Sequence, residues 1–314
     1  MAEKIVIALG GNALQSGKSD ATAEAQLEVV KNTCSYIADI SCMGYEIGLV
    51  HGNGPQVGRI LLASEAAKDV TPAMPFDVCG AMSQGYIGYH LQQALKFALK
   101  EKGKNIPVLT VVTQLVVDEN DKGFKNPTKP IGPFYSEEEA KTLQTEKGYT
   151  VKEDAGRGFR RVVASPIPLE IVEINAVKSL WDSSIVISCG GGGIPVVKHE
   201  DGSLEGVAAV IDKDFAAELL AEQVEADMLL ILTEVEKVAL NFNKPDQKDL
   251  DMLTEEKALK YIADGQFAPG SMLPKVEAAL KFIKANPDKK AVITSLDKAV
   301  DALKGKTGTI FVGK

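Results

Sequence analysis

Three lysines in distant segments of the chain carry the pattern of an anion-binding site. Lys213 opens an apolar helical segment at residues 215–224 with an aspartate on each side, and Lys275 opens another such segment directly after a proline. A cation in the first turn of a helix interacts unfavourably with the helix dipole and costs roughly 0.3 kcal/mol or more of stability. A bound anion offsets that cost. Lys129 lies among prolines that restrict its backbone. The alternative for Lys213 is a solvated helix start with Asp214 as its cap.

Three glycine-rich turns, each directly after a short apolar strand, favour a phosphate ligand. They are Gly10-Gly11-Asn12, Gly52-Asn53-Gly54 and the run at residues 190–193. Glycine lets the main chain approach a ligand closely, and a turn that enters a helix directs free N–H groups at it. Pro55, at the first position of the next helix, marks such an entry after the second turn. For the third turn, direct ligand contact and close packing both remain open.

Charge and composition exclude several classes of function. The 314-residue chain has a net charge of −8, with 43 acidic and 35 basic residues, which argues against nucleic acid as a partner. No apolar run reaches the roughly 20 residues of a membrane helix, and the first residues lack a secretory signal pattern. We therefore expect a cytoplasmic protein without a membrane partner.

The cysteines and histidines indicate neither a metal site nor a covalent nucleophile. The four cysteines lack CxxC spacing and are expected to be buried free thiols in a reducing compartment. Of the three histidines only His51 borders a glycine turn, and His90 and His199 are expected to be structural. A hydrolytic triad therefore has no support, and no metal ligated by the protein is predicted.

Two glycine motifs come close to familiar nucleotide-binding patterns without matching them. The segment at residues 11–19 has five residues between its glycines where a P-loop has four, so Lys18 is expected to be solvated. The segment at residues 52–58 has one residue too many for a dinucleotide fingerprint, and no acidic residue follows at a suitable strand end. Neither a P-loop nor an NAD site is predicted.

Short apolar strands alternate with helical segments along most of the chain. The strands are predicted at residues 5–9, 47–50, 108–112, 185–189, 228–232, 291–294 and 309–312. Most are continuously apolar, as expected for parallel strands covered on both faces. The pattern predicts an α/β fold, an open, mostly parallel β-sheet sandwiched by helices. In such sheets ligands bind beyond the carboxyl ends of the strands, where all three glycine turns lie.

A polar insertion at residues 118–163 interrupts this alternation. Its 46 residues are too many for a plain connection, and its prolines and aromatic residues favour an ordered lobe over disorder. We interpret the insertion, which contains Lys129, as a protruding lid, with a surface ornament as the alternative.

Five motifs in order along the chain resemble the carbamate kinases of the amino-acid kinase family. They are ALGGNAL (8–14), HGNGPQVG (51–58), NPTKPIGPFY (126–135), AVIDKD (209–214) and GSMLPKVE (270–277). The resemblance spans essentially the whole chain. It implies a cytoplasmic homodimer that transfers a phosphoryl group between carbamoyl phosphate and ADP, giving ATP and carbamate, with Mg²⁺. It also implies a place in the fermentative breakdown of arginine or related compounds.

The resemblance assigns substrate-binding roles to the first two glycine turns and to the lid. Gly10, Gly11 and Asn12 resemble the loop that holds the phosphoryl group, and Gly52, Asn53 and Gly54 resemble the loop that binds the carbamate end. Lys129 resembles the lysine that reaches carbamoyl phosphate.

Catalytic and nucleotide-binding roles follow from the later motifs. Lys213 and Lys275 resemble the pair beside the transferred phosphoryl group, and Asp214 resembles the carboxylate that organises them. The nucleotide pocket is expected to include Thr233, Val235, Met272 and Lys275.

The resemblance also implies two lobes. Residues 1–205, which include the lid, form the carbamoyl phosphate-binding lobe, and residues 206–314 form the nucleotide-binding lobe. Many amino-acid kinases carry a lysine near the first glycine turn, whereas residues 8–14 contain none, which favours the carbamate branch over acetylglutamate kinase. Three alternatives stay open: another amino-acid kinase that acts on a carboxylate, a nucleotide-binding regulator without catalysis, and an NAD-dependent oxidoreductase.

Overall fold

The structure, a computed structural model, describes residues 2–15, 22–154 and 156–313, so Lys18 lies outside the described residues. The strands are β1 (Lys4–Leu9), β2 (Glu46–His51), β3 (Val108–Thr110), β4 (Gln114–Val117), β5 (Lys129–Tyr135), β6 (Val151–Glu153), β7 (Phe159–Val163), β8 (Pro168–Ile171), β9 (Ile185–Ile187), β10 (Ile194–Lys198), β11 (Leu204–Gly206), β12 (Met228–Thr233), β13 (Val238–Leu240), β14 (Lys248–Leu250), β15 (Met252–Thr254), β16 (Lys290–Ser295) and β17 (Thr309–Val312). The helices are α1 (Ala23–Cys42), α2 (Gly54–Ala66), α3 (Phe76–Glu101), α4 (Lys122–Lys125), α5 (Glu137–Lys147), α6 (Ile174–Trp181), α7 (Lys213–Gln223), α8 (Glu255–Ala263), α9 (Met272–Ala285) and α10 (Ala299–Leu303).

The main sheet runs in the order β15-β17-β16-β12-β1-β2-β9-β3. From β16 to β3 neighbouring strands are parallel, whereas β17 is antiparallel to β16. This confirms the predicted open, mostly parallel sheet. β2 lies on one side of β1 and β12 on the other, so the chain order reverses direction at β1. Ligands bind at such a switch point in open α/β sheets.

Both faces of the main sheet are covered by helices. Successive side chains of a strand point to opposite faces. Val6 of β1 joins the core packed by α7 and α9, whereas Ile7 joins the core packed by α1 and α3. Both side chains are fully buried. Burial on both faces explains why β1 reads as a continuous apolar run rather than an alternating one.

Residues 118–163, the lid segment, contain α4, α5 and an antiparallel sheet in the order β5-β7-β6. This segment packs against α2, the helix that follows the second glycine turn. A Cβ on Gly58 of α2 would lie only 2.1 Å from Cα of Gly132 in β5. Glu65, at the far end of α2, accepts hydrogen bonds from Tyr149 and Arg161 of the lid segment. Backbone contact and ion pairing therefore join the lid segment to α2.

Some local predictions differ from the structure. Helix α7 begins at Lys213, and its N-cap is Asp212 rather than Asp214, because Asp212 Oδ1 accepts the backbone N–H of Asp214 at 3.0 Å. Cys42 is exposed, whereas the other three cysteines are buried free thiols as expected. In the part of the chain that the structure describes, no helix is both long enough and apolar enough to span a membrane.

Candidate active site

The loops after four adjacent parallel strands, β12, β1, β2 and β9, meet at one edge of the main sheet. β1 leads into the turn that begins at Gly10, and β2 leads into the turn that begins at Gly52. β9 is followed by the glycine run, and β12 ends at Thr233. Because parallel neighbours end at the same edge, the structure brings together segments that are far apart in the sequence.

A large cavity of about 760 Å³ lies at this edge. This volume is within the usual range for a site that binds a small organic molecule. The first glycine turn borders it, together with residues that follow β12 and residues at the start of α9. All four residues predicted for the nucleotide pocket line this cavity: Thr233, Val235, Met272 and Lys275.

A smaller cavity of about 180 Å³ lies beside the large one. Its lining includes the second glycine turn, Lys129 and Asp212. Gly11, Lys213 and Lys275 border both cavities. These residues therefore mark the junction at which a group bound in one cavity could pass to a molecule bound in the other.

Asp214 holds the two junction lysines together. Its Oδ1 accepts a hydrogen bond from Lys213 Nζ at 2.7 Å, and its Oδ2 accepts one from Lys275 Nζ at 3.2 Å. The Asp214 side chain is buried. Both lysines lie near the N-terminus of a helix, where a cation is unfavourable, and the shared carboxylate offsets that cost. With Lys129 and Asp212 included, three cations face two anions, which favours an anionic ligand.

The electrostatics of the cluster follow from burial and pairing. Burial lowers the pKa of Lys213, Asp214 opposes this shift, and Lys275 adds to it. Burial also acts to lower the pKa of Lys275. The carboxylates of Asp214 and Asp212 outweigh burial, so the pKa of Lys275 is raised. Burial acts to raise the pKa of Asp212, yet Lys129 and Lys213 outweigh burial and hold that pKa well below its usual range. Asp212 is therefore ionised at neutral pH.

Lys129 links the lid segment to the core. Its Nζ lies 2.6 Å from Oδ2 of Asp212, a residue 83 positions further along the chain. Lys129 is the first residue of β5, and Asp212 caps α7. This ion pair fixes the lid lysine beside the small cavity.

The glycine run at residues 190–193 packs against the second turn. A Cβ on Gly190 would lie 2.5 Å from Nε2 of His51, and a Cβ on Gly191 would lie 2.2 Å from Nδ2 of Asn53. Gly191 also has a φ of 68°, a conformation that favours glycine. Close packing therefore requires glycine here, and Gly191 additionally lines the small cavity.

His51 stabilises the backbone of the second glycine turn. The buried ring donates a hydrogen bond from Nδ1 to the carbonyl of Gly52 at 2.8 Å, since a carbonyl can only accept. Burial lowers the pKa of His51 to about 4, so the ring is neutral at physiological pH. Among the described residues Nε2 has no hydrogen-bond partner. The histidine holds the turn in place.

Asp212 and Arg157 are among the cavity residues that were not predicted from the sequence. Asp212 belongs to the same motif as Lys213, and its charge next to a predicted catalytic lysine was the available signal. Arg157 lies in the loop between β6 and β7 and lines the large cavity, with its guanidinium 5.0 Å from the ring centre of Phe134. Nothing in the sequence near Arg157 indicates this position, because it results from how the lid segment folds over the core.

The sequence profile of the amino acid kinase family matches residues 3–295 of the chain. A carbamate kinase of Clostridium perfringens is 59% identical over 313 residues, which cover 98% of this chain and 99% of that protein. A carbamate kinase of Pyrococcus horikoshii is 52% identical over 312 residues, with 98% of this chain and 99% of that protein covered.

A solved structure gives the same comparison in three dimensions. Carbamate kinase from Giardia lamblia bound to AMP-PNP superposes with a TM-score of 0.91 at 46% sequence identity. The superposition covers 100% of this chain and 99% of the Giardia chain. Similarity therefore extends over both cavities and the lid segment.

Proposed function

The chain belongs to the amino acid kinase family, and we infer from its paired cavities that it is a carbamate kinase. It transfers a phosphoryl group reversibly between carbamoyl phosphate and ADP, giving ATP and carbamate, which decomposes to ammonia and carbon dioxide. One observation carries this conclusion: a small cavity lined by lysines adjoins a larger one, and Lys213 and Lys275 border both.

The reaction needs position and charge compensation more than acid–base chemistry. In the direction of ATP synthesis, a terminal oxygen of the ADP β-phosphate attacks the phosphorus of carbamoyl phosphate. A new P–O bond forms while the bond between phosphorus and the carbamate oxygen breaks, and carbamate leaves as an anion. No proton is transferred in this step, so a general base has no task.

In this proposal the junction binds the phosphoryl group in transit. Lys213 and Lys275 flank the group, and Asp214 fixes the two ammonium groups relative to each other. The backbone N–H groups of Gly10, Gly11 and Asn12 bind its oxygens from the sheet side. Preorganised donors of this kind stabilise the charge that develops in the transition state without reorganising.

The two substrates occupy the two cavities. Gly52, Asn53 and Gly54 bind the carbamate end in the small cavity, where Asn53 is held by a hydrogen bond from its Nδ2 to Ser83 Oγ at 2.8 Å. Lys129 reaches the same substrate from the lid segment. Thr233, Val235 and Met272 contact the nucleotide in the large cavity. Binding of AMP-PNP by the Giardia lamblia relative supports this use of an adenine nucleotide.

Mg²⁺ is proposed to enter with the nucleotide. Among the described residues no group of three or more His, Cys, Asp or Glu side chains is arranged to hold a metal ion. Asp212 and Asp214, the carboxylates at the junction, already accept hydrogen bonds from lysines. Mg²⁺ commonly binds through substrate phosphates rather than in an all-protein cage, and the donor set fits that mode. The ion neutralises phosphate charge when it is bound.

We propose that the chain forms the two substrate-binding lobes that the sequence predicts. Residues 1–205 supply the second glycine turn and the lid segment for carbamoyl phosphate, whereas residues 206–314 supply β12 and α9 for the nucleotide. The first glycine turn at the end of β1 serves both substrates.

A cytoplasmic homodimer active in the fermentative breakdown of arginine is also proposed. The free cysteines support a reducing compartment. Exposed apolar side chains on one side of α3 support association of two copies, because such surfaces mark interaction sites: Val78, Met82 and Tyr89. Sedimentation of the protein as a monomer at micromolar concentration would argue against the dimer.

The proposed activity is tested by mixing the purified protein with ADP, Mg²⁺ and carbamoyl phosphate and measuring ATP with a coupled assay. We expect ATP to form in proportion to the enzyme concentration. Binding of ADP without any ATP formation would instead indicate a regulator that lacks catalysis.

A further inference from the structure

An ionised carboxylate faces the small cavity, although the proposed substrate of that cavity is an anion. Asp212 lines the cavity and is 8% exposed. An isolated carboxylate at this position would repel carbamoyl phosphate. Lys129 and Lys213 compensate its charge, yet an apolar or neutral residue would have left both lysines free for the substrate. Capping of α7 and the ion pair with Lys129 give this carboxylate two structural roles, and its position in the cavity lining allows a third role toward the ligand.

The hydrogen bonds of Asp212 leave capacity for a further donor. Oδ1 accepts the backbone N–H of Asp214 at 3.0 Å, and Oδ2 accepts Lys129 Nζ at 2.6 Å. A carboxylate can accept about four hydrogen bonds, about two at each oxygen. Each oxygen of Asp212 can thus receive one more.

Carbamoyl phosphate has one group that requires a hydrogen-bond acceptor. Its phosphate and carbonyl oxygens accept hydrogen bonds and suit lysines and backbone N–H groups, but its amino group carries two N–H donors. Asp214 lines the same cavity, but its side chain is only 1% exposed, against 11% for Asp212, and it already binds both junction lysines. The side-chain carbonyl of Asn53 is a neutral acceptor there, and hydrogen bonds to ionised groups are roughly twice as strong.

We propose that Asp212 determines substrate specificity by accepting a hydrogen bond from the amino group of carbamoyl phosphate. This inference rests on the proposed function. Acetyl phosphate has a methyl group in place of the amino group, so it leaves the Asp212 oxygen without its donor. A site built to hydrogen-bond an N–H group discriminates strongly against an analogue that lacks it.

The test compares carbamoyl phosphate and acetyl phosphate as phosphoryl donors to ADP, with kcat/KM measured for each. Asp212→Asn removes the charge, and Asp212→Ser shortens the side chain, while both residues can still cap α7. We expect the ratio of the two kcat/KM values to fall by about 10-fold or more in both variants, mostly through loss with carbamoyl phosphate. Lys129→Met is the comparison: an ammonium group can only donate, so it can serve only the acceptor oxygens that both donors share, and its loss should lower both values with little change in their ratio.

Each possible result either supports or overturns the role of Asp212 in substrate specificity. Equal losses with both donors in the folded Asp212 variants would overturn the proposal and leave Asp212 as a residue that only positions Lys129. The wild-type protein provides a test that does not depend on folding of a variant, since similar kcat/KM values for the two donors would also overturn it. ATP formation from neither donor would contradict the proposed function itself, and this result is distinct from a changed ratio.

Discussion

Oδ2 of Asp214 lies 3.2 Å from Nζ of Lys275, although 61 residues separate the two in the chain. Asp214 lies on α7 and Lys275 on α9, and these helices pack side by side on the same face of the main sheet. Because Lys213 binds the other carboxylate oxygen, one buried group sets the spacing of both junction lysines. Their alignment with the phosphoryl group therefore depends on Asp214.

Asp214→Asn should lower kcat and move the alkaline limb of the pH–rate profile to lower pH. The carboxylate stabilises the ammonium form of Lys213, whose pKa burial already lowers, so its removal lowers that pKa further. Lys213 then loses its charge at a lower pH than in the wild-type protein. A profile of kcat against pH between 6 and 10 measures the shift. An alkaline limb that stays in place would mean that Asp214 does not control this charge.

Arg157→Ala should raise KM for ADP, because it removes a cation from the lining of the nucleotide cavity. Hydrogen bonds from a guanidinium to phosphate are among the stronger ones, so we expect a roughly 5- to 30-fold increase. Lys141→Ala is the matched control: Lys141 is also a lid cation, but it is exposed and pairs with Glu137. Steady-state kinetics with ADP varied should show the increase in Arg157→Ala alone. Equal KM values in both variants would place Arg157 outside the nucleotide site.

Gly58→Ala should weaken binding of carbamoyl phosphate by displacing the lid segment. The added Cβ would lie 2.1 Å from Cα of Gly132, so the backbones of α2 and β5 must separate and Lys129 moves with β5. Gly80→Ala is the control, because Gly80 is also helical but has open space at its Cβ position. We expect a several-fold rise in KM for carbamoyl phosphate in Gly58→Ala, and unchanged kinetics in Gly80→Ala. Identical kinetics in the two variants would show that α2 does not position the lid.

Glu218→Gln should stabilise the protein at pH 8 but not at pH 5. Burial raises the pKa of Glu218 to about 7, even though Lys281 Nζ lies 2.5 Å away. The native state therefore holds a proton that the unfolded chain releases near pH 4.5, and the wild-type protein loses stability as the pH rises from about 5 to 7.

Glutamine stays neutral throughout and avoids this loss, so the difference in unfolding free energy should reach about 1–3 kcal/mol at pH 8. Urea unfolding of the wild-type protein and of Glu218→Gln at pH 5 and at pH 8 measures this difference in unfolding free energy. A difference that does not change with pH would show that Glu218 titrates normally.

The fold was largely predictable because the central strands are buried on both faces. Segments such as Lys4–Leu9 read as continuous apolar runs, and the structure contains a strand at each predicted position. The sheet of order β11-β10-β4-β8 was not predicted. Its strands are short and of mixed polarity, and β10 contains a proline, so they depend on tertiary contacts rather than on local pattern.

The candidate site was predictable where a residue belongs to a local motif. Gly10, Gly52 and Lys213 each stand out beside a strand end or a helix start. The ion pair between Lys129 and Asp212 was not predictable, because the two residues come together only in the folded arrangement of the lid segment on the core. Sequence spacing carries no information about a contact over 83 residues, whereas the structure gives it directly.

ATP formation by the wild-type protein and by Lys213→Ala measures whether the phosphoryl group passes from carbamoyl phosphate to ADP beside Lys213. We predict that the wild-type protein forms ATP and that the folded variant loses about 10²- to 10³-fold in kcat, with little change in either KM. Losses of this size are typical when one electrostatic donor is removed from a transition state. Turnover close to wild type in the folded variant would show that Lys213 does not stabilise the transferred phosphoryl group.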